Sequence, residues 1–471
     1  MTQNKLSQEN MNTAEITRSL RALSSVQTPL PEGMSGVYQI ARFVQLDAQT
    51  AGFFINVRQD KNQACDLEIG CDFCFTRDPE FRKFEGFQVL TRAEIAEPFE
   101  NKQKFLMVSY PVFAAFVPLG ALLEDGTPHP HAGTGFAFGV RLGRPCDDNG
   151  SCQGYTNPLL EDCYDEVEIL QLAWDGKKLT VTDRERLAYP SNVDTFKHTI
   201  PLLPPLAGVV SDGEDILTGA TKVIGEEPLG RAGVCRWKRN NGRWEIAEFT
   251  PIGAPGSFEP SLIRDTDGSL LYTHRTAVPE WTFALKLSPE GMEDAKYNRD
   301  IRVWRSRDNG KNWTKCIHQK DCCNGCPISI TMTKAGVPVI FTNEHSDTLG
   351  TGKPFFHGVV RERMNLWRLN KERNGLLPQK LVRDAVAEFG NAPYGKGWFM
   401  DHPIGLLIRL SDQQWHSVLT MRVMDISESG GGNAATPYTG LYVEEIISET
   451  ADFKPPWNFS HLKYKIIRKW R

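Results

Sequence analysis

The densest group of chemistry-bearing residues is the loop Pro128-His129-Pro130-His131-Ala132-Gly133-Thr134-Gly135-Phe136. Two histidines two residues apart point the same way on an extended chain. The glycines that follow leave room for a ligand near the backbone. A neutral imidazole titrates near the pH at which it would have to take a proton, so it suits general-base work. The same residues also read as a Pro/Gly-rich turn with exposed histidines. Function is favoured here because proline fixes both histidines and the chain holds only 10.

Taking a proton α to a carboxylate requires that carboxylate to be neutralised, which a guanidinium does in bidentate fashion. Arg231, in a PLGRAG loop, and Arg275, after His274 at a strand end, are the candidates. Each also reads as a surface or ion-paired arginine. Tyr272-Thr273-His274-Arg275 gathers three useful side-chain types, and Glu259 opens the same repeat as a base or an arginine partner. His402, in Asp401-His402-Pro403, opens a further repeat, and His345 closes another. Tyr438, in the last repeat, is a candidate acid or base. Cys316, His318, Cys322, Cys323 and Cys326 fall within eleven residues and could supply four ligands to a structural zinc. Reduced core cysteines or a disulfide are the competing reading. Cys65, Cys71 and Cys74 form a second group, and Cys146 and Cys152 flank a polar turn.

The elements that must position these residues are strands. LAWDGKKLTV (172–181), VCRWKRNNGRWEIAEF (234–249), LIRDTDGSLLYTHR (262–275) and IRVWRSRDNGKNWTKCI (301–317) are alternating runs around DG and NG turns. Helical periodicity is confined to short stretches, Thr13–Leu23 and Leu376–Phe389. A strand–turn–strand unit recurs at 260–275, 327–344 and 402–423, and more loosely at 206–223 and 131–144. The steps of about 50–75 residues exceed those of compact propeller blades, which implies long insertions.

Ser306-Arg307-Asp308-Asn309-Gly310-Lys311-Asn312-Trp313 matches S-x-D-x-G-x-x-W. It resembles the Asp-box of the sialidase superfamily, as do its flanks Phe258-Glu259-Pro260-Ser261 and Cys326-Pro327-Ile328-Ser329. The resemblance covers about residues 255–345 and implies an all-β, sialidase-like β-propeller, with seven blades preferred and six possible. Asp308 would bond turn amides, Gly310 would take the left-handed conformation, and Trp313 would pack between strands. Sialidases carry an early Arg-Ile-Pro strand, where this chain reads Tyr38-Gln39-Ile40-Ala41-Arg42. The histidine loop instead resembles, by type, ulvan lyases and related rhamnose–glucuronate lyases. That likeness implies a polysaccharide lyase acting on an acidic poly- or oligosaccharide by β-elimination. His129, His131, His274, Arg275 and Tyr438 would be catalytic, with Arg231, Glu259, His345 and His402 binding substrate. A sialidase-type exo-glycosidase and a non-catalytic glycan-binding propeller are the alternatives.

The 471 residues, with 40 Gly, 29 Pro and 24% charged residues, suffice for one large repeat-built domain. Residues 1–32 read as a polar, loosely docked tail and 33–471 as a single propeller. A net charge of −4 argues against nucleic-acid binding. No apolar run reaches the roughly 18 residues of a membrane helix. No organic cofactor is implied. The absence of an apolar leader points to the cytoplasm, or to export if a leader has been removed.

Overall fold

The computed structural model describes residues 16–19, 37–58, 70–97, 103–123, 125–148, 164–187, 209–212, 215–222, 231–255, 257–276, 300–320, 322–323, 327–343, 361–392, 397–426, 432–433 and 440–447. Strand β1 is Ile16–Ser19. It lies inside the segment expected to be a loose tail, and inside one of the two stretches read as helical. Blade 1 is β2–β5 (Val37–Asp47, Thr50–Arg58, Gly70–Thr76, Glu85–Arg92). Blade 2 is β6–β10 (Glu94–Ala96, Phe105–Val117, Thr134–Pro145, Tyr164–Trp174, Leu179–Arg186). Blade 3 is β11–β14 (Val209–Asp212, Asp215–Lys222, Arg231–Asn240, Arg243–Pro255). Blade 4 is β15–β18 (Ser257–Arg264, Leu270–Thr276, Ile301–Ser306, Thr314–Gln319). Blade 5 is β19–β22 (Ser329–Met332, Pro338–Asn343, Arg363–Arg368, Lys380–Asp384). The helix α1 (Ala385–Phe389) follows, capped by Asp384, and it is the helical part of the 376–389 stretch. Blade 6 combines β23–β26 (Trp398–Arg409, Trp415–Ile426, Gly432–Asn433, Gly440–Ile447) with β1, which pairs antiparallel with β26.

The described strands form a six-bladed β-propeller of antiparallel meanders. Six blades replace the preferred seven because of where the extra chain is spent. Between the second and third strands of blades 4 and 5 run residues 277–300 and 344–362. One apolar layer joins blades 1, 2 and 3. Others join blades 3 and 4, 4 and 5, 5 and 6, and 6 and 1. Burial therefore continues around a closed ring, which removes the open sheet faces that an isolated blade would expose.

The expected turns are present. Asn241 and Gly242 both take positive φ (49° and 85°), as a type I′ hairpin requires. In the Asp-box, Asp308 accepts from Asn312 N at 2.9 Å and Gly310 N donates to Ser306 Oγ at 2.9 Å. Gly310 has φ 87°. Trp313 packs into the layer between blades 3 and 4. These hairpins leave the sheets at one end. The chain between second and third strands leaves blades 1, 3, 4 and 5 at the other end, here called the open face, as does the chain after β8 in blade 2 and after β24 in blade 6.

Inner strands approach closely. A Cβ at Gly405 of β23 would lie 2.5 Å from Thr331 Cγ2 of β19. Gly405→Ala is expected to destabilise by about 1–3 kcal/mol through overpacking, read as a lowered denaturation midpoint against wild type. At the hairpin end of blade 6, His416 Nδ1 meets Glu445 Oε1 at 2.7 Å and Nε2 meets Asp412 Oδ2 at 3.1 Å. Burial opposes the imidazolium, but the hydrogen bond and attraction from Glu445, aided by Asp412, prevail and raise its pKa above 6.5. The folded state thus holds this proton more tightly than the unfolded chain. Its stabilisation is complete below about pH 6.5 and is lost as pH climbs through the raised value. Thermal melts should show the gap between wild type and His416→Gln widest near about pH 6 and closing toward about pH 9.

Candidate active site

Two residues break the regularity of the inner strands in the same way, by a two-against-one bulge that β2 also carries at Gln39-Ile40. In β15 and β16, Phe258 pairs with Arg275 and Ser261 with Thr273, so Glu259 and Pro260 oppose His274 alone. In β23 and β24, Asp401 pairs with Arg422 and Ile404 with Thr420, so His402 and Pro403 oppose Met421 alone. Both extra residues are left-handed: Glu259 has φ 49° and His402 φ 50°. Non-glycine residues rarely adopt that conformation, and each such residue costs on the order of 1–3 kcal/mol. A bulge re-aims a side chain out of the pleat. Here it brings Glu259 of blade 4 and His402 of blade 6 together across blade 5, with His402 Nε2 3.9 Å from Glu259 Oε1.

The pair is held from both sides. Arg275 Nε lies 2.6 Å from Glu259 Oε2. His402 Nδ1 is 2.9 Å from Asp401 Oδ1. Asp401 is wholly buried. It accepts from Arg422 Nε at 2.8 Å and Nη2 at 3.0 Å, and from Arg361 Nη1. Arg361 also lies over the Phe399 ring, 4.5 Å from its centroid. Burial would raise the Asp401 pKa, but Arg422, His402 and Arg361 outweigh it and hold the carboxyl well below its usual value. Burial keeps His402 below 6.5, with Asp401 pulling the other way and Arg422 adding to the burial effect. The imidazole is therefore neutral near pH 7. With Nδ1–H directed at Asp401, its Nε2 lone pair faces Glu259.

The other expected residues fall in several places. Arg231 begins β13, at the same end of the sheets as Glu259, Arg275 and His402. His274 is drawn into the apolar layer between blades 3 and 4. It stacks on Trp304 with centroids 4.7 Å apart, and burial drives its pKa down to about 3. That is a neutral core histidine, because its strand position turns it away from Arg275. His345, Tyr438 and Cys326 lie outside the described residues, as do Cys65 and Cys152.

His129 and His131 sit at the opposite end. Their loop joins β7 to β8, where Gly133 N bonds Val117 O at 2.8 Å and Leu119 N bonds Leu46 O at 2.7 Å in the β2–β3 turn. Trp174 N bonds Gly133 O at 2.7 Å from the β9–β10 turn. Some five residues of strand, about 16 Å, separate the hairpin end from the level of the bulges. The paired imidazoles thus do not share a site with Arg275. The prolines and glycines of that loop serve a packed turn: His131 N donates to His129 Nδ1 at 3.1 Å, and His129 is buried.

Of the expected zinc group, Cys316, His318, Cys322 and Cys323 are described, and Cys322 donates to Gln319 O. His318 meets Asp300 at 2.6 Å, Cys316 donates to Val303 O, and Cys323 joins the layer between blades 4 and 5. Among the described residues no three His, Cys, Asp or Glu side chains are placed to hold a metal ion. Cys71 and Cys74 are buried within blade 1. Arg361 and Arg422 were missed by sequence reasoning. Arg422 carried a signal, an arginine inside the apolar run SVLTMRVMDI, which only a buried anion makes tolerable.

No protein-family profile matches the sequence, and no curated protein does so significantly. Among solved structures, a Hadza microbial sialidase has 12% identity and a TM-score of 0.48, over 88% of this chain and 66% of its own. This chain therefore spans just under two thirds of that protein's length. The NanB sialidase of Streptococcus pneumoniae has 9% identity and a TM-score of 0.48, over 95% and 73%. An α-L-arabinofuranosidase of Fusarium graminearum has 9% and 0.41, over 93% and 98%. The expected nearness to lyases has no counterpart among these three. At such distances the propeller assignment rests on the sheets themselves.

Removing the Asp401 carboxyl would strand two buried guanidiniums. Asp401→Ala is expected to cost about 3–5 kcal/mol, measured as the loss in denaturant midpoint at constant m-value.

Proposed function

We propose that the chain is a carbohydrate-active enzyme that hydrolyses a glycosidic bond at the open face, between Glu259 and His402. The observation that carries this reading is the 3.9 Å approach of His402 Nε2 to Glu259 Oε1 from bulges two blades apart. An oxygen about 2.8 Å from each atom fits between them. Glu259, paired with Arg275 as a carboxylate, is suited to stabilise the positive charge that develops on the sugar ring as the bond breaks. Neutral His402 is suited to accept a proton from the attacking water at Nε2. The water oxygen bonds the anomeric carbon as the bond to the leaving oxygen breaks; the leaving oxygen takes a proton from solvent water, and Nε2 returns its proton to solvent, so that one water is consumed in all.

Elimination at a uronic acid is the second reading, favoured by the guanidinium of Arg275 beside a neutral imidazole. Hydrolysis is preferred because the Glu259 carboxylate would repel a uronate brought to the same base, whereas it favours a cationic transition state. The substrate class remains within this proposal, acidic or neutral.

Oligosaccharides of both kinds should be screened for new reducing ends and for ultraviolet absorbance together. Glu259→Gln and His402→Gln are each expected to lower turnover by at least about 100-fold with the fold intact. New absorbance would instead favour elimination. Saturable glycan binding without any product would make the protein a binding module.

A further inference from the structure

We infer that Asp401 is a positioning residue: clamped by Arg361 and Arg422, it fixes His402 as the Nδ1-protonated tautomer and leaves Nε2 as the acceptor facing Glu259. The inference rests on the site reading above and deepens it.

Four groups meet His402 or its anchor, and each restricts what the ring can do. Asp401, its own neighbour in β23, approaches Nδ1 at 2.9 Å. A carboxylate can only accept, so Nδ1 must donate. The Asp401 carboxylate cannot turn away, because Oδ1 takes Arg422 Nε and Oδ2 takes Arg422 Nη2 and Arg361. A bidentate guanidinium fixes the plane of the acid it binds. Two cations on one buried carboxylate also keep it ionised, so it remains an acceptor over the working range. On the far side, Glu259 arrives from β15 and is itself paired with Arg275 from β16. Glu259 Oε1, at 3.9 Å, is too far for a direct hydrogen bond to Nε2. The ring is therefore tethered at one nitrogen and open at the other.

The proton balance follows from this arrangement. Before reaction His402 carries one proton, on Nδ1. When Nε2 accepts a second, the imidazolium lies between two carboxylates, Asp401 behind and Glu259 in front. It regains the neutral state by releasing the Nε2 proton, while Nδ1 keeps its own throughout. Asp401 touches no reacting atom. Its effect is to choose the nitrogen and to stabilise the imidazolium.

Histidine labelled with 15N reports the tautomer directly, without substrate. In the wild-type protein near about pH 7, His402 should show a protonated Nδ1 and a bare Nε2, with the assignment made by loss of the signal in His402→Gln. Glu259→Gln should leave that pattern unchanged. Asp401→Asn offers the ring an N–H donor, so the proton should move to Nε2. Turnover should then fall by about 10³–10⁴-fold in kcat with KM little altered, as for other acid–histidine pairs. Asp401→Glu should restore the Nδ1 tautomer and part of the rate. A wild-type ring protonated at Nε2 overturns the inference, and this measurement decides it even if Asp401→Asn fails to fold. A folded Asp401→Asn that keeps the Nδ1 tautomer overturns it as well. Failure of the wild type to turn over any glycan would sink the hydrolase reading alone, since the tautomer is measured without one.

Discussion

The site depends on one constraint of a closed ring: every inner strand is locked to neighbours on both sides. Ser261 Oγ of β15 accepts from Ile330 N of β19 at 3.0 Å, and Gly405 of β23 has no room for a side chain against Thr331. A strand held in this way can present a side chain to the axis only where its ladder is interrupted. The bulges at Glu259-Pro260 and His402-Pro403 are such interruptions. Proline removes the donor that would have closed the ladder, and the left-handed residue before it turns its side chain out of the sheet. The strain of two such residues is tolerable because the surrounding ring over-determines their conformation.

Charge placement follows the same logic. Arg275 and Arg422 occupy equivalent register positions, each facing the residue just before a bulge. In blade 6 the arginine meets Asp401 within its own pair of strands. In blade 4 it reaches the bulged Glu259. One repeat geometry thus yields a buried, doubly paired carboxylate that orients a histidine and a partly exposed carboxylate that faces it. Arg361, entering just before β21, completes the burial by neutralising what a single arginine would leave polarised.

Much of the fold was legible because it is local. The DG and NG turns and the Asp-box bonds of Asp308 depend on residues within ten positions of one another. The strand pairing of Ile16–Ser19 with β26 was not legible, since its partner lies more than 400 residues away and the segment is polar. The candidate site was partly legible: Glu259, Arg275 and His402 were singled out as repeat-initial or repeat-final residues. Their grouping was not, because a one-residue offset decides whether a side chain faces the axis or an interblade layer. His274 and Arg275 are adjacent and face opposite ways. The place of the histidine loop was hidden for a related reason. Local composition suggests a ligand site, but only the order of strands within a blade reveals which end of the propeller it occupies.

The central claim is that a sugar binds at the open face against Glu259 and His402. The most direct measurement is a crystal structure of an inactive Glu259→Gln or His402→Gln protein with a bound oligosaccharide. The account predicts a glycosidic oxygen or anomeric carbon within contact distance of both positions, with Arg275 and Asp401 unmoved. Density for the sugar at the hairpin end, against His129 and His131, with the open-face site empty, would contradict it.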